Sequence, residues 1–369
     1  MKKRILLVSS GKLDRSGVPS VIMTIVRALH EEFTFDIMLS SPQEGEFEKE
    51  FLNYGGRIIR YRKKKFGFSL LNTAADFFRP VSMFFTTRSV IRANGPYDAV
   101  HCHNEFDMAG SLAAAKRCKV PLRIAHEHKV WNRCRLASRL FRSLCRRTIN
   151  RCATARVGCS QLANDAFYGK SVPTQVIYNP YDDRRFFCKT DETCRSDDLH
   201  MIQVGYFCEN KNQLFSLEVL ACIRRSLPSA RLTLIGFDQD GYGNLLRDKA
   251  AQLSLNGQVE FLPPNEDIPS ALRKCSLFLL PSKAEGFGIV LIEAQAVGLS
   301  CYASDTVPRE TNVGGVSYLP LSDGPEAWAE VILREGRFQE KKQYDCSAFS
   351  SETFVNHIRA LYGAKNATA

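Results

Sequence analysis

Short apolar runs alternate with amphipathic stretches along most of the chain. Residues 5–8 form an uninterrupted apolar run. Over 18–29, Val21, Ile22, Ile25, Val26 and Leu29 recur at helical spacing. Runs at 35–39, 57–61, 99–101 and 122–126 predict further strands, with a helix over 111–118 and two late strands at 154–159 and 175–178. The pattern then restarts. Strands are predicted at 201–204, 231–235, 259–262, 277–280 and 300–303. Helices are predicted over 213–226, 242–253, 267–274 and 288–296, with Pro269 tolerated in a first helical turn. Strands alternating with helices imply βαβ units on parallel sheets. The predicted class is α/β, with two doubly wound, Rossmann-like halves facing across a cleft. Asn179-Pro180 marks a turn, and the polar stretch 184–199 reads as a linker. The expected domains are 1–180 and 181–345, followed by a segment 346–369. Phe354, Val355, Ile358 and Leu361 mark a last helix there over 352–362.

Length and composition agree with two cores: 369 residues, 44% of them hydrophobic. They exclude a disordered chain, a disulfide scaffold and a fibrous repeat. No apolar run approaches the ~20 residues a spanning helix needs. The basic start Lys2-Lys3-Arg4 is followed by too short an apolar run for a signal peptide, so it reads as a buried first strand. Thirteen cysteines are scattered without a Cys-x-x-Cys pair. They read as reduced, mostly buried thiols of a cytoplasmic protein. The net charge of +11 is uneven. Residues 1–180 hold 30 Lys/Arg against 14 Asp/Glu, and residues 181–369 hold 20 against 25. An anionic partner is therefore expected at the N-terminal half.

The most specific chemical signal is Glu285-Gly286-Phe287-Gly288-Ile289-Val290-Leu291-Ile292-Glu293, two carboxylates bracketing seven residues. The first Glu ends a strand-to-helix turn, and the second lies on the helix. Backbone N–H groups of a Gly-Phe-Gly turn at a helix N-terminus suit a phosphate. Gly286 and Gly288 permit close backbone approach. Glu285 and Glu293 can then take hydroxyls at the two ends of a diphospho-sugar. A second turn, Gly205 to Gln213, carries Lys211-Asn212, with Lys211 placed to neutralise a diphosphate at the carboxyl end of a strand. In the N-terminal half, Gly17 opens the first predicted helix. Two His-x-His pairs, His101/His103 and His126/His128, each share one strand face. Asp238-Gln239-Asp240 reads as a polar loop rather than a cation site.

Together these motifs resemble family 4 of the retaining glycosyltransferases, which have the GT-B fold, in the branch that builds capsular and exopolysaccharides. Glu285…Glu293 matches the family's E-x7-E motif, and the stretches 291–299 and 304–310 match its surroundings. The resemblance implies that Glu285 contacts the donor sugar and Glu293 the nucleotide ribose. It implies that Gly17, Gly205, Lys211, Asn212 and the Gly286–Ile289 turn bind the donor, and that His126 works beside the reaction centre. His103 and His128 are placed on the acceptor side, with a merely structural role weighed equally for His101 and His103. Gly205 is followed by Tyr206 where the family has Arg, and Ser16 stands before Gly17 where the family has Gly. The last helix is expected to return to the N-terminal domain.

The activity so implied is transfer of a sugar, with retention, from a nucleoside diphosphate donor, most often UDP-linked, to a lipid-linked saccharide. No cofactor and no metal are expected. Two basic stretches supply much of the excess charge. One is Arg57 to Lys65, followed by Phe66, Phe68, Phe77, Phe78, Phe84 and Phe85. The other, 133–151, has seven Arg and no acid, with Leu136, Leu140, Phe141 and Leu144 on one helical face. Such a helix suits an anionic membrane surface or, equally, a core helix with a solvated Arg face; the resemblance, to enzymes that act on lipid-linked acceptors, favours the cytoplasmic face of a membrane. No nucleic-acid module is present. Two other readings are a metal-dependent hydrolase built on the His-x-His pairs and a non-catalytic GT-B subunit.

Overall fold

A computed structural model describes residues 2–61, 69–103, 105–129, 136–187, 199–238, 241–264, 266–335 and 341–363. Arg62 to Lys65, Phe66, Phe68, Arg133, Arg135, Gln239 and Asp240, and most of the expected linker, lie outside them. The side chains of Phe77 and Leu136 do too. The chain forms two compact units. One comprises Met1–Pro180 with Glu352–Ala369, and the other Tyr181–Ser351. The C-terminal segment expected from 346 thus joins the first unit from Glu352 onward.

The first unit is built on a seven-stranded parallel sheet: β1 (Lys3–Val8), β2 (Phe33–Leu39), β3 (Arg57–Arg60), β4 (Ala99–Cys102), β5 (Leu122–Glu127), β6 (Ala155–Gly158) and β7 (Gln175–Val176). Their spatial order is β3-β2-β1-β4-β5-β6-β7. Strands β1 and β4 are buried along most of their length, which is why they read as continuous apolar runs rather than alternating ones. One face packs the helix Gly17–Leu29 together with Phe354, Val355, Ile358 and Tyr362 of the C-terminal segment. The other face packs Met108–Arg117 and the inner side of Leu136–Cys152. Gly110 lets the first of these helices meet Ser69–Asn94 backbone to backbone, since a Cβ there would collide with the Pro80 carbonyl.

The second unit carries six parallel strands: β8 (His200–Val204), β9 (Arg231–Ile235), β10 (Val259–Leu262), β11 (Leu277–Leu280), β12 (Ser300–Ser304) and β13 (Val316–Leu319). The order is β10-β9-β8-β11-β12-β13. Strand β13 and the helix Gly324–Glu335 extend the series past the predicted last strand. Trp328 of that helix is fully buried edge-on to Phe215, with its indole N–H donating to the Pro320 carbonyl at 3.0 Å.

In each sheet the chain reverses its direction of progress once, between β1 and β4 and between β8 and β11. Ligands of doubly wound sheets bind beyond the carboxyl ends of the strands at that switch.

Candidate active site

In the second unit, the two motif loops leave the two switch strands. Gly205 to Asn212 follows β8, and Pro281 to Gly288 follows β11. Three hydrogen bonds to backbone carbonyls help zip them together. Asn212 Nδ2 donates to the Pro281 carbonyl at 3.1 Å, Asn210 Nδ2 to that of Ala284 at 2.8 Å, and Lys283 N to that of Asn210 at 2.8 Å. Asn212 sits in the left-handed region at φ 56°, a conformation Asn tolerates better than most residues, and opens the helix Gln213–Arg224. Buried Gln203 on β8 donates to the Lys211 carbonyl at 2.7 Å and accepts from Ser216 Oγ at 2.7 Å. Gln213 secures the Tyr206 carbonyl at 2.8 Å. The backbone that carries Lys211 is therefore fixed from beneath.

The result is an ion pair. Lys211 Nζ stands 2.5 Å from Glu285 Oε1, with the two side chains 18% and 10% exposed. Ser282 Oγ donates to the same oxygen at 2.7 Å. Oε2 of Glu285 has no hydrogen bond among the described residues, and two of the three Lys211 N–H bonds remain available. Ser282 is held in turn by Ser304 and Thr306, whose hydroxyls donate to its carbonyl at 2.5 and 2.7 Å.

Gly288 caps the helix Ile289–Ala296 at φ 86°, and a Cβ there would press on Val307 at 3.3 Å. Glycine is needed on both counts. Phe287 beside it is buried against Phe349. Glu293 lies half-buried on the same helix with no hydrogen bond to its carboxylate among the described residues. Desolvation pushes its carboxyl up to about 8, opposed by the charge of Arg185. The helix is stapled by buried Gln295. That side chain donates to the Leu291 and Thr311 carbonyls and accepts from the Val313 and Gly315 amides, all within 2.8–3.1 Å.

In the first unit, all four histidines of the two His-x-His pairs come together at the ends of β4 and β5. His101 Nδ1 meets the Tyr362 hydroxyl at 2.8 Å, and His101 Nε2 meets His126 Nδ1 at 3.1 Å. His103 Nδ1 meets His128 Nε2 at 2.9 Å, and His128 Nδ1 meets Asn179 Oδ1 at 3.1 Å. Burial holds His101, His103 and His126 well below the usual imidazole range and brings His128 to about 4. All four are neutral at pH 7. Nε2 of His103 and of His126 are buried without a partner among the described residues. Gly17, at the end of the loop after β1, faces open space where a Cβ would stand.

Known proteins resemble this chain in sequence and in fold. The sequence model of Glycosyltransferase Family 4 matches residues 15–185, and that of Glycosyl transferases group 1 matches residues 189–333. Together the two models span most of the chain, which is a family-4-like glycosyltransferase. It is 29% identical to the putative glycosyltransferase EpsF of Bacillus subtilis over 350 residues, covering 90% of this chain and 88% of that one. It is 25% identical to the capsular polysaccharide biosynthesis glycosyltransferase CapH of Staphylococcus aureus, covering 96% and 97%. The crystal structure of Anabaena HepE in complex with UDP superposes with a TM-score of 0.77 at 18% identity, covering 98% of this chain and all of the other. That likeness shows the fold, GT-B.

The glycosyltransferase thus brings Gly205, Lys211, Asn212, Glu285, Gly286, Phe287, Gly288, Ile289 and Glu293 to the switch edge of its second sheet. His103, His126 and His128 converge in the first unit, with His101 added to them. The sequence alone pointed to no site role for Gln203, Gln213, Gln295, Ser282 or Tyr362, and gave Asn179 only a turn. A Gln inside an otherwise apolar strand, as in Met201-Ile202-Gln203-Val204, is the signal that points to the first. Tyr206, half exposed, stands edge-on to Phe237 with ring centroids 6.1 Å apart. Asp238 accepts from the Gly243 amide at 3.0 Å, a turn bond.

The basic helix differs from its expected packing. Cys145, Ile149 and Cys152 form the inward stripe, with Phe141 partly buried against the same core. Leu140 and Leu144 point outward, 65% and 62% exposed. The apolar set 136/140/141/144 therefore splits, because an inward stripe at 141/145/149/152 follows helical geometry more closely. Phe78, Val81 and Phe85 of Ser69–Asn94 are likewise exposed. Among the described residues no helix is long and apolar enough to cross a membrane.

Proposed function

We propose that this glycosyltransferase moves a hexose from a nucleoside diphosphate, UDP in the first instance, to a lipid-linked saccharide, with retention and without a metal. The product would serve capsule or exopolysaccharide assembly. The observation that carries the reading is the Lys211–Glu285 pair at the switch edge of the second sheet. It joins one cation for a diphosphate to one carboxylate with a vacant oxygen for a sugar hydroxyl. Glu293, half-buried and unpaired, suits the ribose hydroxyls, which give a desolvated carboxyl the hydrogen bonds it lacks. The UDP bound to HepE and the capsule role in the name of CapH point the same way.

In the proposed step the bond from the anomeric carbon to the diphosphate breaks, and the electron pair stays on the phosphate oxygen. The acceptor oxygen bonds to the same carbon on the same face and gives its proton to that phosphate oxygen. Lys211 and the backbone N–H groups that open the helix Ile289–Ala296 stabilise the departing charge; for His126 the resemblance implies a role toward the donor sugar. Most of the rate then comes from positioning and fixed charge. A panel of nucleotide sugars, assayed with and without a polyprenyl-diphosphate saccharide, tests this. Acceptor-dependent release of UDP is expected, and no turnover with any donor would overturn it.

We also infer that the first unit rests on the anionic cytoplasmic face of a membrane. Exposed Phe78, Val81, Phe85, Leu140 and Leu144 lie among Arg88, Arg92, Arg139 and Arg147 on two helices that both pack on Met108–Arg117. Arg beside exposed apolar side chains matches an interfacial surface. Vesicles with anionic headgroups are expected to bind the protein, and binding should weaken steadily with salt. Equal binding to neutral vesicles would refute the electrostatic part.

A further inference from the structure

The two histidine chains in the first unit end in opposite ways. Tyr362 is buried, and its hydroxyl has one partner among the described residues, His101 Nδ1 at 2.8 Å. A buried phenol with a single neighbour must donate to it, because an orphaned O–H would carry its full desolvation cost. His101 therefore holds its lone pair on Nδ1 and its proton on Nε2. That N–H faces His126 Nδ1 at 3.1 Å, so His126 accepts there and keeps its own proton on Nε2.

The other chain runs the other way. Asn179 Oδ1 accepts from His128 Nδ1–H at 3.1 Å. His128 Nε2 is then a lone pair, and it accepts from His103 Nδ1–H at 2.9 Å. His103 is left with a bare lone pair on Nε2. Both terminal nitrogens, His126 Nε2 and His103 Nε2, are buried and unpartnered, on rings whose centroids lie 5.1 Å apart.

We propose that Tyr362 and Asn179 are remote positioning residues that fix opposite tautomers on His126 and His103, so that the pair offers one N–H and one lone pair to a single neutral hydroxyl of the sugar. The hydroxyl oxygen accepts from His126, and its proton goes to His103. The ligand part rests on the proposed donor reading of His126; the tautomers do not. A carboxylate at that position would have no proton for His103 and would face its lone pair. Hexose donors are therefore favoured over uronic acid donors.

The competing reading is a metal site, since His101, His103 and His126 can each bring a nitrogen within 4.8 Å of the others. A metal would need a free lone pair on all three. His101 spends both nitrogens on Tyr362 and His126.

The test is a long-range proton–nitrogen NMR correlation on the full chain labelled with 15N-histidine, assigned by single histidine replacements. His101 and His126 are expected as the Nε2–H form, and His103 and His128 as the Nδ1–H form. Tyr362→Phe should mix the tautomers of His101 and His126, leave those of His103 and His128 in place, and cost about tenfold in kcat, the scale of one lost hydrogen bond. Asn179→Asp, an acceptor only, should keep the His103/His128 order, and Asn179→Leu should lose it. The wild-type spectrum alone decides the tautomers if a variant fails to fold. One shared tautomer for all four rings, or stoichiometric zinc with three coordinated imidazoles, would overturn the proposal. Ordered tautomers that ignore a saturating UDP-hexose would support the relays and overturn the donor reading.

Discussion

Replacing Glu285 with alanine is expected to reduce sugar transfer by about 10²–10³-fold, the cost of deleting one fixed electrostatic contact at a reaction centre, while the protein stays folded. The carboxylate does two jobs. Oε1 anchors Lys211 and Ser282, and Oε2 is open. Glu285→Gln separates them, because it keeps an acceptor for Ser282 but cancels the charge that holds Lys211. Folding should change by only ~1 kcal/mol, since Lys211 is partly exposed and its ammonium can turn to water. Circular dichroism and a melting curve check the fold, and release of nucleoside diphosphate checks the activity. Transfer at the parent rate in Glu285→Ala would remove the ground for the assignment.

The second large effect is acid lability of the first unit. Its four clustered histidines are neutral when folded, with pKa values lowered by burial. Unfolded, they titrate near 6.5. As pH falls below that value the unfolded chain takes up protons that the folded unit refuses. Stability is present above 6.5 and lost on the way down, by about 1.4 kcal/mol per pH unit for each histidine. Buried Glu127 acts in the opposite sense. Desolvation raises its carboxyl to about 8, so it favours the folded state at low pH and loses that contribution as pH rises from about 4.5 towards 8. Four groups outweigh one. Urea midpoints should therefore fall steeply between pH 6.5 and 5, with the first unit unfolding ahead of the second. His128→Asn should flatten the slope by one histidine's share. Equal midpoints at pH 7 and 5 would show that the cluster is charged when folded.

Most of the fold was legible because the strands are parallel and covered on both sides, which leaves apolar runs such as Leu277-Phe278-Leu279-Leu280 plain to see. The misses share a cause: their packing is not written in local period. Ser69–Asn94 carries Pro80 within it and spreads exposed Phe78 and Phe85 beside buried Met83, so its stripe is blurred. Strand β13 is a half-buried edge of four residues after two glycines. In the site, the loop glycines and paired carboxylates were readable because their chemistry depends on spacing. The partners of Gln203, Gln295 and Tyr362 were not, because the local hydrophobic period marks none of them. Tyr362 and His101 are 261 positions apart.

The composition of the first unit also constrains how the protein is made. A ribosome delivers the strands of its sheet early, yet Phe354, Val355, Ile358 and Tyr362, which complete one face of that core, emerge only after all of Tyr181–Ser351. The second unit has every element it needs beforehand and can fold first. The first must wait with an apolar face and one imidazole chain unclosed, a long exposure for a surface of this kind. Released chains that end at residue 351 would thus hold a finished second unit and an unfinished first one.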